Sequence, residues 1–441
     1  MKKIVLSLFL FALTANMVAE DHVMAATKRA PKRDVPATLN LSLTEAQDYA
    51  VETNRSLRNA DLAVQKAYAS RWQTIASMLP SVDMSWAFQS MMGYKMNFGT
   101  MPIDMPDNGT LGITAAVGIN GQAIVGALLN NVAIDMQKLN LEQSEDNLRA
   151  NIKTSYASVL VLQNVVTLLE NSLANIEQMA AMTQRSVDVG AAEQTTADLI
   201  NVRANTLRNN INANLRSTQL ALNALKVLLD VPAETELQLT TSLEDVLSAE
   251  TVLQLLGNEF ILENNLNYQL LEKNVELAEK NVHMAGWAYG PTIGVGYQYS
   301  KKDYFGQKEG FNMTPPNALS VQVSMPLWSS GKRAAGVVEK KIALEEARNT
   351  FAETTNNLGI QNDQLRYNLQ NAYETFTNEQ ENMGVTQRVF DNTTRKFQQG
   401  AASNLDLVNA SNDLITAQSS YVQAVLTLVN AQVELEKFLN L

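Results

Sequence analysis

The chain repeats itself. Shifted by 211 positions, Asn54 falls on Asn265, Ala67 on Ala278 and Pro80 on Pro291. Shifted by 210, Gly121 falls on Gly331, Gly126 on Gly336 and Ala133 on Ala343, and the triplet Gly190, Ala191, Ala192 falls on Gly400, Ala401, Ala402. An ordered series at nearly constant offset marks a duplicated unit, with repeats over 27–230 and 231–441. Any fold for this chain must use one order of elements twice: helix, proline, strand, loop, strand, glycine, very long helix, Gly-Ala-Ala turn, helix.

The helices are unusually long. No Gly or Pro occurs between Gly126 and Gly190, far more than the ~10–14 residues of an average globular helix. From Ile152 the positions Ser155, Val159, Leu162, Val166, Leu169, Leu173, Ile176 and Ala180 advance by alternate threes and fours, the spacing of a coiled-coil seam. The last helix carries two such stripes, one through Val408, Asn412, Ile415, Ser419, Val422, Leu426, Val429 and Val433, the other through Leu407, Ala410, Leu414, Ala417, Tyr421, Ala424, Leu428, Ala431, Leu435 and Phe438. Two seams call for neighbours on both sides, as in a ring of helices. The pattern predicts helices over Thr44–Leu79, Gln122–Val189, Thr195–Leu229, Phe260–Gly290, Lys332–Gln399 and Asn404–Leu439. At 1.5 Å per residue the long ones reach ~100 Å, matched by two of the shorter ones placed end to end.

Between these helices the period switches to two. Val82, Met84, Trp86 and Phe88 alternate with Ser81, Asp83, Ser85 and Gln89, and Leu111, Ile113, Ala115, Val117 and Ile119 with small or polar residues. The second half repeats this with Ile293, Val295, Tyr297 and Tyr299, then Leu319, Val321, Val323, Met325 and Leu327. Runs of ~9 residues are long enough, when tilted, to cross the ~25 Å apolar band of an outer-membrane barrel. Aromatics, including Trp86, Phe88, Tyr297, Tyr299 and Trp328, sit toward the strand ends, where interface girdles belong. The strands, within about 81–120 and 292–328, are expected to form barrel wall. Four strands cannot close a barrel, and open edges are not tolerated in lipid, so the chain is expected to oligomerise. The stretches Met91–Thr110 and Lys301–Asn317 are polar and rich in Gly, Pro and Asn, as exposed loops are.

Lys2 and Lys3 precede an apolar run from Ile4 to Leu13, too short to span a bilayer and of the length of a secretory signal, so 1–26 reads as signal peptide and the start of a linker. No other stretch offers ~18 uninterrupted apolar residues, and no membrane-spanning helix is expected. The chain has no cysteine, hence no disulfide, no thiolate metal site and no lipid-modified cysteine. A net charge of -11 and a pI near 4.9 give no basic footprint for nucleic acid. Only His22 and His283 are present, and phosphate-loop, zinc-protease and nucleophile-elbow signatures are missing. The expectation is a protein that is not an enzyme, with no catalytic residues, metal or cofactor.

The opening Leu-x-Leu-x-x-Ala-x-x-x-Ala-x-x-x-Asn of Leu41–Asn54, the helix-to-strand prolines Pro80 and Pro291, the Pro-Leu-Trp-Ser-Ser-Gly-Lys-Arg run at Pro326–Arg333 and the two glycine turns together resemble the TolC-type outer-membrane efflux family. The resemblance covers nearly the whole chain and rests on the duplicated order more than on any one motif. It implies a mainly α fold with transmembrane β: a homotrimer whose strands close a twelve-stranded barrel in outer-membrane lipid, above a long α-helical barrel of coiled-coil hairpins in the periplasm. It also implies an exit duct working with a periplasmic adaptor protein and an inner-membrane transporter, or else the outer-membrane component of type I protein secretion. A periplasmic adaptor or a structural coiled-coil protein is a weaker fit, since neither needs four symmetric membrane-length strands.

The turns at Gly190–Thr196 and Gly400–Asn404 lie at the opposite end of the helices from the strands, and the resemblance makes them periplasmic tips. Gly190, Ala191, Ala192, Gly400, Ala401 and Ala402 are the candidate adaptor-docking residues, though the small side chains could simply fill turns. Asp198 and Asp406 follow the turns in positions that look equivalent, although the first tip holds two extra residues. Either they stabilise the positive end of a helix, or in an oligomer they crowd a pore and act as a cation-binding gate.

Overall fold

The computed structural model describes residues 36–99, 101–104, 106–305 and 315–441. The signal segment, the linker up to residue 35 and part of the second loop, 306–314, lie outside the described residues.

From the N-terminus, strand β1 (Thr38–Leu41) leads to helices α1 (Leu43–Thr53) and α2 (Arg55–Ala76), strand β2 (Ser81–Gln89), a hairpin of β3 (Lys95–Phe98) and β4 (Met101–Asp104), strand β5 (Asn108–Asn120), and helices α3 (Gly121–Asp188) and α4 (Gln194–Leu228). There follow β6 (Glu236–Leu239), the short helices α5 (Leu243–Val246) and α6 (Ala249–Gly257), helix α7 (Leu266–Gly286), strands β7 (Thr292–Tyr304) and β8 (Asn317–Ser324), and helices α8 (Lys332–Gln398) and α9 (Asn404–Leu439). The described residues divide into two compact units, each drawn from both halves of the sequence: one takes Asp61–Leu139 and Leu270–Ala352, the other 36–60, Asn140–Gln269 and Glu353–Leu441.

Four of the six expected helices end within a residue of their expected limits. The other two differ for a local reason. The helix expected over Thr44–Leu79 is broken at Asn54, whose backbone is extended (φ -64°, ψ 124°), and that expected over Phe260–Gly290 is trimmed to Leu266–Gly286 with a single 3-10 turn on either side. The strands outrun expectation at their outer ends. β5 starts at Asn108 and β7 runs to Tyr304, so parts of both expected loops are strand, and β3 pairs with β4 inside the first. β8 stops at Ser324, before Pro326, which has no N–H to donate. α3 is long and apolar enough to cross a membrane by length and composition alone, though it contains no uninterrupted apolar run of that length. Its apolar residues recur on more than one face, and much of that stretch is buried in protein.

In the first unit, β2, β5, β7 and β8 form one antiparallel sheet in the order β2-β5-β7-β8. The register aligns every apolar run on one face. Val82 lies opposite Ala115, Ala115 opposite Tyr297, and Tyr297 opposite Leu319, while Val117, Val295 and Val321 form the next row but one. The intervening row is Ser81, Ala116, Gly296 and Ser320. A slip of one residue would exchange the two faces. The two strand pairs thus meet at β5 and β7, leaving β2 and β8 as edges.

The second unit contains the buried core. β1 and β6 pair in parallel, Thr38 with Glu236 through Leu41 with Leu239. Each strand is followed by a serine-capped helix: Ser42 with Glu45, and Ser242 with Asp245, form reciprocal capping boxes. Tyr156 of α3, fully buried, donates its hydroxyl to the Leu41 carbonyl at 2.9 Å and accepts from Thr241 N at 3.0 Å, which fixes the long helix to this small sheet. Arg366 of α8 donates to the Leu256 and Asn258 carbonyls at the end of α6. Lys153 of α3 and Glu436 of α9 form a half-buried ion pair at 2.7 Å.

The seam expected on α3 is buried at Ile152, Val159, Val166, Leu169 and Ile176. A second line, through Tyr156, Val165, Ser172 and Met179, is buried as well and was not expected. On α9 the stripe through Leu407 and Leu414 is buried along most of its length, whereas the stripe through Val408 is buried only at Val429 and Val433.

Candidate functional site

Two places concentrate features that packing within one chain does not consume: the turns that join the long helices, and the sheet.

α3 and α8 end in the same way. Gly190 has φ +74° and Gly400 φ +72°, left-handed conformations that suit glycine. The Gly190 N–H donates to the Val187 carbonyl and the Ala191 N–H to that of Ser186. The Gly400 N–H donates to the Phe397 carbonyl and the Ala401 N–H to that of Lys396. This paired bonding satisfies the last carbonyls of each helix and turns the chain sharply. Ala191 and Ala401 are exposed and Ala192 and Ala402 half-buried, so all six turn residues occupy matched places.

The helices that leave the turns start differently. Ser403 caps α9: its hydroxyl accepts from the Asp406 N–H at 3.1 Å, while the Asp406 carboxylate accepts from the Ser403 hydroxyl at 2.7 Å and the Ser403 N–H at 2.9 Å. The Ser403 hydroxyl, and after it the Ser403 N–H, hold the Asp406 carboxyl below the ordinary aspartate range. α4 starts at Gln194 behind Glu193, whose side chain makes no cap. Asp198 lies one turn into α4 and accepts from the Gln194 amide at 2.9 Å. The two acids are therefore not equivalent. Contrary to expectation the first tip holds no extra residues, since 189–193 and 399–403 are equally long; Asp198 lies two residues deeper in its helix than Asp406 does, past the capping position.

Sequence reasoning passed over the apolar side chains beside these turns. Val189, 80% exposed, precedes Gly190, and Leu405, 67% exposed, opens α9; Leu199 and Val202 of α4 are exposed too. Their signal is an apolar residue just outside the seam spacing. The sheet is similar on a larger scale. Met84, Trp86 and Phe88 on β2 and Leu319, Val321 and Val323 on β8 are all exposed, on the two strands that have a neighbour on one side only. At the outer end Phe88 packs on Phe305 with ring centroids 5.8 Å apart. His283 is exposed on α7, and no group of three His, Asp or Glu suited to a metal occurs among the described residues.

Comparison with known proteins bears on both places. Residues 259–441 match the outer membrane efflux protein family. The chain is 25% identical over 347 residues to the outer membrane efflux protein BepC of Brucella suis, covering 75% of this chain and 72% of the relative. Its fold is similar to that of the outer membrane protein VceC of Vibrio cholerae (TM-score 0.71, 15% identity, 90% of this chain and 95% of that one). It is likewise similar to the outer membrane channel MtrE of Neisseria gonorrhoeae in its open state (TM-score 0.67, 15% identity, 94% of each chain). The chain is thus similar in sequence to outer membrane efflux proteins, through the family match over 259–441 and the likeness to BepC, and similar in fold to outer membrane channels over nearly its whole length.

Proposed function

We infer that this protein is the outer-membrane exit duct of a tripartite efflux pump, passively conducting substrates from the periplasm to the exterior. It lies in the outer membrane, with its long helices in the periplasm. One observation carries the reading: a four-stranded antiparallel sheet with its apolar side chains on one face and both edge strands unpaired within the chain. In hydrocarbon each unsatisfied backbone group costs several kcal/mol, so β2 of one chain must pair with β8 of another until the ring closes. Three chains give twelve strands, a homotrimer within the size range of membrane barrels. The apolar face then meets lipid and the face of Ser, Thr, Gln and Gly meets water. Nothing on the chain supplies energy for transport, and a periplasmic adaptor protein with an inner-membrane transporter would drive it.

The turns at Gly190–Ala192 and Gly400–Ala402 are the docking surface for the adaptor's helices, with Val189 and Leu405 giving apolar contacts beside the small alanines. Asp198 and Asp406, brought together around the axis of a trimer, form the acidic gate of the pore.

The test is biochemical. The full chain should resist carbonate extraction from outer membranes, migrate as a three-chain species in detergent, and insert conducting pores into planar bilayers. A monomer freely soluble without detergent would overturn the assignment.

A further inference from the structure

The stretch that joins α4 to α7 carries charge of one sign. Between Lys226 and Lys273 the chain has no lysine or arginine. Glu234, Glu236, Glu244, Glu250, Glu259 and Glu263, all within it, are exposed, and none joins an ion pair among the described residues. Two cations reach the start of this stretch, and both are engaged there: Lys226, buried, donates to the Ala233 carbonyl at 2.8 Å, and Arg55 pairs with Asp230 at 2.9 Å.

The β1–β6 pair presents an open face on the same stretch. Thr38 lies opposite Glu236 and Asn40 opposite Gln238, and all four are exposed, while the leucines between them turn inward. The Glu236 N–H donates to the Ala37 carbonyl at 2.8 Å. Because the two strands are parallel, the chain ahead of Ala37 departs on the side of Glu234. Lys28, Arg29, Lys32 and Arg33 stand four to nine positions before Ala37, with Asp34 the one acid between them and it. At ~3.5 Å per residue they reach no farther than ~14 to ~32 Å from it.

We propose that this open acidic face is the docking surface of the chain's own basic segment, 28–33, held beside β6 by ion pairs to Glu234 and Glu236. Each exposed pair is weak, but a tethered segment meets its site at about millimolar effective concentration, so a few pairs suffice. The clasp is electrostatic and loosens as salt shortens the screening length from ~10 Å at ~0.1 M to ~3 Å at ~1 M. It fastens β1, a strand of only four residues, at its N-terminal end. The duct reading is not needed for it.

The test uses the secreted chain in detergent at low salt. A carbodiimide, which joins an amine to a carboxylate in direct contact, should link Lys28 or Lys32 to 227–273, a single tryptic peptide because it has no internal cleavage site. Cleavage after Lys28 and Lys32 by a lysine-specific protease should run roughly threefold faster when Glu234→Gln and Glu236→Gln are combined, the scale of two lost exposed ion pairs. At ~1 M salt the two proteins should be cut at the same rate. Glu353→Gln with Glu381→Gln, which removes the same charge from exposed positions of α8, should leave the rate as in the wild type. Links confined to other acids, equal acceleration by both double variants, or a secreted chain that begins after Arg33 would overturn the proposal. So would protection that arises only when phosphatidylglycerol vesicles are added, because the segment would then be bound to lipid. A wild-type protein that conducts no ions would remove the duct reading and leave the cross-linking and cleavage comparison to decide the clasp.

Discussion

The side-chain amide of Asn265 donates to the Phe438 carbonyl across 2.9 Å, tying the start of α7 to the end of α9. Its oxygen accepts from the Asn267 and Tyr268 N–H groups and so caps α7. In the first repeat Asn54 does the same, donating to the Leu228 carbonyl at 2.9 Å and accepting from the Ser56 and Leu57 N–H groups. One side chain serves two helix termini, which explains why an asparagine stands at this point of both repeats.

Asn265→Ala leaves two N–H groups and one carbonyl without these partners. A loss of about 1–3 kcal/mol is expected, read as a lower melting temperature of the detergent-solubilised protein. Asn54→Ala should behave alike, because its partners are the same in kind. An unchanged melting temperature in both variants would contradict the capping role.

Gly121 opens α3 directly beneath Trp287. A Cβ there would lie 2.1 Å from two ring atoms and 2.7 Å from the Trp287 Cγ, so the indole would have to leave its place. Gly121→Ala is expected to cost about 1–3 kcal/mol. The double variant with Trp287→Ala should recover part of that loss, and simple additivity of the two effects would refute the steric account.

Val321 and Gln322 are neighbours on β8 facing opposite sides of the sheet. If the apolar face meets lipid, Val321→Lys costs up to ~2–4 kcal/mol near the bilayer midplane and depletes the protein from the outer-membrane fraction. Gln322→Lys faces the aqueous lumen and should assemble normally. Equal assembly of the two variants would be incompatible with a lipid-facing row at Val321.

The two tip acids separate by their chemistry. Because Ser403 lowers the folded-state pKa of Asp406, its contribution to folding is fully present above the ordinary aspartate value near ~4. It disappears as pH falls through the lowered value. Exchange at the first turn of α9 should quicken on that descent in the wild type, and Asp406→Ala should lack the pH-dependent part. Asp198 has no part in a cap, so Asp198→Ala examines the gate alone: cation selectivity in planar bilayers should fall, and unchanged selectivity would remove Asp198 from the gate.

Much of this was legible before any coordinates. A glycine at the end of a long seam predicts a turn, and Gly190 and Gly400 supply one. The alternation through Met84 and Trp86 predicts a two-faced strand, and the register of β2 on β5 keeps it. Other features left no local trace. Asn54 looks like an ordinary helix residue until the Leu228 carbonyl, far away in sequence, is beside it. The β1–β6 pair consists of two four-residue segments, too short for a period to declare itself, and it forms only because both repeats bring a strand to the same place. Asp198 and Asp406 look equivalent in sequence because each closely follows its turn, and only the caps, closed by Ser403 in one helix and absent at Glu193 in the other, show that they differ.

The sequence alone determined the local and periodic properties: the limits of four of the six long helices, the two faces of the strands and the glycine turns. Each depends on residues within a few turns of one another, where sterics and side-chain spacing act directly. Tertiary structure decided which ends are tied together, which of two similar acids closes a cap, and which faces of the long helices are buried. Those outcomes depend on hydrogen-bond partners and neighbours drawn from distant segments, and only the folded chain brings them within bonding distance.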